Sequence, residues 1–159
     1  RASWTRPLLC DIQDFVSRRT APVDYDGPRS LHGLRLGGIL GHRYRTLQAD
    51  IDKGLIRRED VHTDLQNLNK LLSGRIDVAL IPRSSRLFYS LTEVPEAQLH
   101  VSPSPLYVFD RHVLMTASLP AATTQYIQQL VADLPHSARW QTLLRRYGLQ
   151  QMNAPCPNF

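Results

Sequence analysis

Lysine is nearly absent from this chain. Of nineteen basic residues only Lys53 and Lys70 are lysines, so seventeen are arginines, set against fourteen acidic residues for a formal net charge of +5. The arginines are scattered, their densest clusters being pairs such as Arg18-Arg19 and Arg57-Arg58, and no cluster of base-stacking aromatics accompanies them. That distribution describes a solvated surface rather than a nucleic-acid track, so nucleic acid is not an expected partner. Long apolar runs are missing too: none approaches the roughly 20 residues of a membrane span. A hydrophobic share of 42% and a mean hydropathy of −0.29 describe an ordinary soluble protein able to bury a core. Cysteine is limited to Cys10 and Cys156, too few for a zinc site or a disulfide scaffold. A single bridge between them would suit an exported protein, and two buried free thiols fit the sequence equally well. Neither an initiator Met nor a basic-apolar-small leader opens the chain, which reads as a processed form with its signal peptide removed, or as a fragment.

Catalytic signatures are also lacking. The histidines at 32, 42, 62, 100, 112 and 136 show no metal-ligand spacing such as HExxH, and no G-x-S-x-G nucleophile turn occurs. No enzyme activity, metal or cofactor is expected.

What is present is organised around Leu34 to Ser84. The run Leu34-Arg35-Leu36-Gly37-Gly38-Ile39-Leu40 predicts a strand whose paired glycines suit close backbone approach or a local bend. Gly41 turns the chain, and Tyr44, Leu47 and Ile51 at helical spacing predict a helix stopped near Gly54. Residues Arg57 to Asp60 read as a polar connector. Thr63 and Gln66 form a capping box for a helix with Leu65, Leu68, Leu71 and Leu72 on one face, ended by Gly74. Ile76 to Ile81, with Asp77 its only polar residue, predicts a strand covered on both faces. Alternating strands and helices favour a parallel sheet, and such units place ligand contacts at the carboxyl ends of their strands. The candidate loops are therefore Gly41 to Tyr44 and Pro82 to Ser85.

Beyond this stretch, a short helical segment is expected from Pro82 to near Leu91, extended segments at Gln98–Val101 and Leu106–Phe109, and a further strand over Arg111–Ser118. Two helices finish the chain. Ala121–Leu134 would bury Tyr126, Ile127, Leu130, Val131 and Leu134, and Ser137–Tyr147 would bury Trp140, Leu143, Leu144 and Tyr147.

The strand ending in Gly41-x-x-Tyr44, the run Gln66-Asn67-Leu68-x-x-Leu71-Leu72-x-Gly74-Arg75-Ile76-Asp77-Val78, and the closing Trp140-x-x-Leu143-x-x-x-Tyr147-Gly148 together resemble the family 3 extracellular solute-binding proteins, the polar amino-acid receptors of ABC importers. The resemblance covers roughly residues 4 to 149. It implies an α/β fold, periplasmic-binding-protein-like of type II, with residues 1–20 a crossover segment and 21–109 a distal lobe containing a parallel sheet. Residues 110–149 would be the return strand and closing helices of a proximal lobe, and 150–159 an irregular tail. The first half of that proximal lobe is not found.

By the same resemblance, Gly41, His42 and Tyr44, with Arg83 and Ser84, are the expected ligand-binding residues, and Asp77 is chiefly structural. Amino-acid binders of the family carry an Asp where this chain has Pro82 or Arg83; an arginine there favours a carboxylate, phosphate or other anion. The implied role is non-catalytic binding of a small polar, amino-acid-like or anionic molecule in the periplasm or outside the cell. The implied partners are an importer's permease or a second copy completing the half-lobe. An extracytoplasmic sensing or interaction domain of the same fold is the alternative.

Overall fold

The chain, described as a computed structural model over residues 2–157, opens with strands β1 (Ser3–Trp4) and β2 (Leu9–Arg18). There follow β3 (Arg35–Ile39), α1 (Arg45–Asp52), β4 (Arg57–Val61), α2 (Asp64–Leu72), β5 (Val78–Pro82) and α3 (Arg83–Tyr89), then β6 (Leu99–Val101), β7 (Tyr107–Arg111), β8 (Leu114–Met115), α4 (Ala121–Asp133) and α5 (Ala138–Arg146). The chain divides into a larger unit, Ile12–Tyr107, and a smaller one, Arg1–Asp11 together with Val108–Phe159.

The larger unit is built on a mixed sheet of order β4-β3-β5-β2-β6. Strand β3 lies parallel to β4 and β5, whereas β2 runs antiparallel to β5 and β6. Helices α1 and α2 are the crossovers that parallel pairing requires. The period of two along β5 sorts its side chains cleanly: Val78 and Leu80 join Phe15, Leu36, Tyr44 and Leu47 in one buried cluster. Ala79 and Ile81 join Val16, Leu68, Leu71 and Ile76 in another. Successive residues point to opposite faces of a strand, so the sheet is covered on both sides.

The capping box at α2 forms as read from the sequence. Thr63 Oγ1 accepts from the Gln66 N–H at 3.3 Å, and Gln66 Oε1 accepts from the Thr63 N–H at 3.1 Å. The β3 glycines also have a steric cause. A Cβ on Gly37 would lie 2.5 Å from Asn67 Oδ1, and one on Gly38 would lie 2.7 Å from Asp60 Oδ1 and 3.0 Å from Tyr44 Cε2. Only glycine lets α2 and the Tyr44 ring approach the strand this closely.

Two expectations are corrected. Residues Arg57 to Asp60 are not connector but most of β4, the edge strand beside β3. A solvated edge strand tolerates charge, and here Arg58 pairs with Asp60 and Glu59 with Lys70, so its hydropathy hides its conformation. Conversely, the strand expected over Arg111–Ser118 shrinks to Leu114–Met115, because its partner β1 offers only Ser3 and Trp4.

In the smaller unit Cys10 and Cys156 are joined by a disulfide with Cα atoms 4.7 Å apart. Cys10 donates its N–H to Met152 O at 3.1 Å, and Cys156 donates to Asp110 Oδ1 at 2.7 Å. Buried Asp11 accepts from Arg111 Nε at 2.6 Å. The helix faces expected to be buried are only half so: Val131 and Leu144 are buried, but Tyr126, Leu130, Leu143 and Tyr147 stand exposed.

Candidate ligand-binding site

Parallel pairing of β3 with β4 and β5 sends the turns after all three strands to one edge of the larger unit's sheet. The start of β2 lies there as well, with Gln13 opposite Pro82 and Asp14 opposite Ile81. This edge carries both loops singled out by sequence.

After β3, Gly41 takes a φ of +82° and swings the chain outward. His42 is exposed, its ring stacked on that of Tyr44 with centroids 5.5 Å apart and planes 9° from parallel. Tyr44 itself is 1% exposed, and its hydroxyl accepts from the Ile39 N–H at 3.1 Å. Burial raises the Tyr44 pKa above its ordinary value, so the phenol stays neutral. It holds the loop in shape rather than facing a ligand. Helix α1 then begins without a side-chain cap and without acidic residues in its first turn. Its orphan N–H groups and positive dipole end are the features that favour an anion.

Arg58, hidden by the connector reading, locks this loop. Its guanidinium lies 4.8 Å from the Tyr44 ring centroid, donates through Nη2 to the carbonyls of Ile39 at 3.0 Å and His42 at 2.7 Å, and through Nε to Asp60 at 2.7 Å. A basic residue two positions from an acidic one in an otherwise polar run was its only trace in the sequence.

After β5, Arg83 opens α3. Its Nε and Nη2 each donate to Asp14 at 2.9 Å, a two-pronged pair with a carboxylate that has no solvent exposure. Arg86 Nη2 lies 3.8 Å from the same carboxylate, and Arg86 Nη1 pairs with Glu96. A buried carboxylate needs such partners, because desolvation costs several kcal/mol per ion. The Arg83 charge is thus largely answered inside the protein. Ser84 follows in the first turn of α3, half-buried. The structure therefore brings Gly41, His42, Arg83 and Ser84 to one edge and withdraws Tyr44 into the core beneath it. Sequence reasoning missed Asp14, whose position in an apolar-ended run gave no sign of its partner.

The edge can offer backbone N–H groups, an imidazole and a guanidinium, which is recognition chemistry. The one group among the described residues with metal-ligand spacing, Cys10, Asp110 and Cys156 in the smaller unit, has both sulfurs committed to the disulfide.

No family model matches the chain, and no curated protein matches it in sequence. Solved structures do. The GluR0 ligand-binding core from Nostoc punctiforme, in complex with (L)-glutamate, superposes with a TM-score of 0.72 at 16% identity, covering 93% of this chain and 66% of that one. This chain has the periplasmic-binding-protein-like type II fold. An ancestral arginine-binding protein bound to arginine gives 0.71 at 12% identity, covering 92% and 64%. The L-cystine solute receptor of Neisseria gonorrhoeae, unliganded and open, gives 0.64 at 12% identity, covering 97% and 63%. The chain thus spans about two thirds or less of the length of each of these three structures.

Proposed function

We propose that this chain is part of a non-catalytic solute-binding module, with residues 21–109 as its distal lobe, working in the periplasm or outside the cell, that takes a small polar or anionic molecule at the Gly41–Arg45 turn. The observation that carries the reading is that turn: exposed Gly41, His42 and Arg43 lead into an uncapped helix at the carboxyl edge of a type II sheet. The neighbours' printed ligands, glutamate and arginine, are both amino acids and support the same ligand class. An importer's permease is the partner this role would require. Arg83, tied to Asp14, serves better to shape the site than to clamp an anion alone. No helix among the described residues is long and apolar enough to cross a membrane.

A thermal-shift screen of amino acids, dicarboxylates and polyamines tests the reading, since a ligand bound only by the native state raises apparent stability. A stabilising carboxylate ligand is expected, with the shift reduced in His42→Ala at unchanged ligand-free melting temperature. No stabilisation by any of these classes would favour the second reading, a sensing or interaction domain of the same fold.

A further inference from the structure

The smaller unit contains a cavity that the role above does not use. Its walls come from three separate stretches of chain. Arg6 and Pro7, between β1 and β2, are held on both sides, because the Thr5 N–H donates to Val113 O at 3.0 Å and the Leu8 N–H to Arg111 O at 2.7 Å. The end of α4 and the turn Leu134–His136 supply buried Val131 together with Pro135 and His136. Ala154 and Pro155 close the third side, next to Cys156, which its disulfide to Cys10 and its hydrogen bond to Asp110 hold in place. The enclosed space is about 290 Å³. An open groove adjoins it, sharing Arg6 and His136 and running on to Trp4 and Gln125.

The lining divides by chemistry. Pro7, Val131, Pro135 and Pro155 give the cavity an apolar body, and prolines bring no backbone N–H that an apolar guest would leave unpaired. The charged and titratable groups stand at its mouth, where Arg6 and His136 line both cavity and groove. Arg111 in the same unit is answered by Asp11, whereas among the described residues neither the Arg6 guanidinium nor the His136 ring has a hydrogen-bond or ion-pair partner. A free guanidinium fork matches a carboxylate with two parallel N–H donors. We propose that this cavity is a second ligand site, one that takes a small monocarboxylate with an apolar body, its carboxylate on Arg6 and His136 and its body against Val131 and the three prolines. The size fits. A cavity of about 150 Å³ holds benzene, and this one has about twice that volume, enough for a phenyl or branched alkyl group with a short linker. Charge sets the upper limit: Asp133 in the adjoining groove accepts from Gln129 Nε2 at 2.9 Å but has no cation paired with it, so a second anionic group on the ligand would meet repulsion.

Titration of the 159-residue chain with phenylacetate and with isovalerate, followed through backbone amide chemical shifts, tests this. Saturable shifts are expected at the amides of Arg6, Ala132, His136 and Ala154. Arg6→Gln, at an exposed position whose side chain makes no bond within the protein, should weaken binding by at least about tenfold. Benzyl alcohol, which keeps the apolar body without the charge, and succinate and inorganic phosphate, which carry more charge, should bind more weakly than phenylacetate by a similar factor. No saturable shift with either carboxylate would overturn the inference, as would unchanged affinity in Arg6→Gln or equal affinity for benzyl alcohol. Shifts confined to residues 41–43 would overturn it too, since they would place the carboxylate at the site proposed above. The two sites report through different amides, so either proposal can fail without the other.

Discussion

The two units solve the same problem, burying apolar side chains, by different means. In the larger unit the sheet is sandwiched, and Phe15, Leu36, Leu68, Leu71, Leu80 and Ile81 have no solvent exposure at all. In the smaller unit the buried apolar residues are few, Met115, Val131, Leu144 and Met152 with the disulfide's Cys10, while six large apolar side chains stay exposed. One unit is held by packing and the other by a covalent tie. The difference is that both buried apolar clusters lie in the larger unit, whereas the smaller one carries the cross-link between residues 146 apart in sequence.

Removing the tie should have the largest effect. The Cys10–Cys156 bridge closes a loop with a sequence separation of 146, for which the chain-entropy argument gives about 5 kcal/mol. The double variant Cys10→Ser/Cys156→Ser, followed by exchange and denaturant unfolding, should lose protection first in the smaller unit, with β5 still protected. Simultaneous loss in both units would break the contrast.

Core truncation comes next. Leu68→Ala removes a fully buried side chain between α2 and the sheet and should cost about 2 to 5 kcal/mol. The same change at Leu130, half-exposed on α4, should stay within about 0.5 kcal/mol. Urea midpoints of the two variants check the pair of values directly. Comparable losses would mean that α4 is packed as tightly as α2.

This contrast also explains what could be read from the sequence. Strand β3, the capping box at Thr63 and the stripe Leu65–Leu72 were legible because in the larger unit local pattern and burial agree. On α4 and α5 the apolar stripes were equally clear, yet Tyr126 and Tyr147 stand exposed: a stripe states which face a helix can bury, not how much of it a neighbour covers. Strand β4 failed for the opposite reason, since charged edge residues carry no period-two signal. At the site, the loop positions of Gly41 and Arg83 followed from topology. The Asp14–Arg83 pair and the Arg58 lock did not, because contacts across 69 and 16 residues leave no local trace.

The smallest effect concerns acid, and it belongs to the larger unit. Asp77, just before β5, accepts from the Arg35 backbone N–H at 2.8 Å and from its guanidinium at 2.8 and 3.2 Å. These hydrogen bonds, foremost the side-chain pair with Arg35, hold its carboxyl below the ordinary value of 3.8. The unfolded chain therefore binds the proton more readily than the folded one. The contribution is complete above the unfolded value and is lost as pH falls through it and then through the lower folded one. Asp77→Asn should thus destabilise the larger unit at neutral pH, and the gap between wild type and variant should narrow as acid is added over that range. A gap that stays constant into strong acid would show that the charge of Asp77 does not contribute to it.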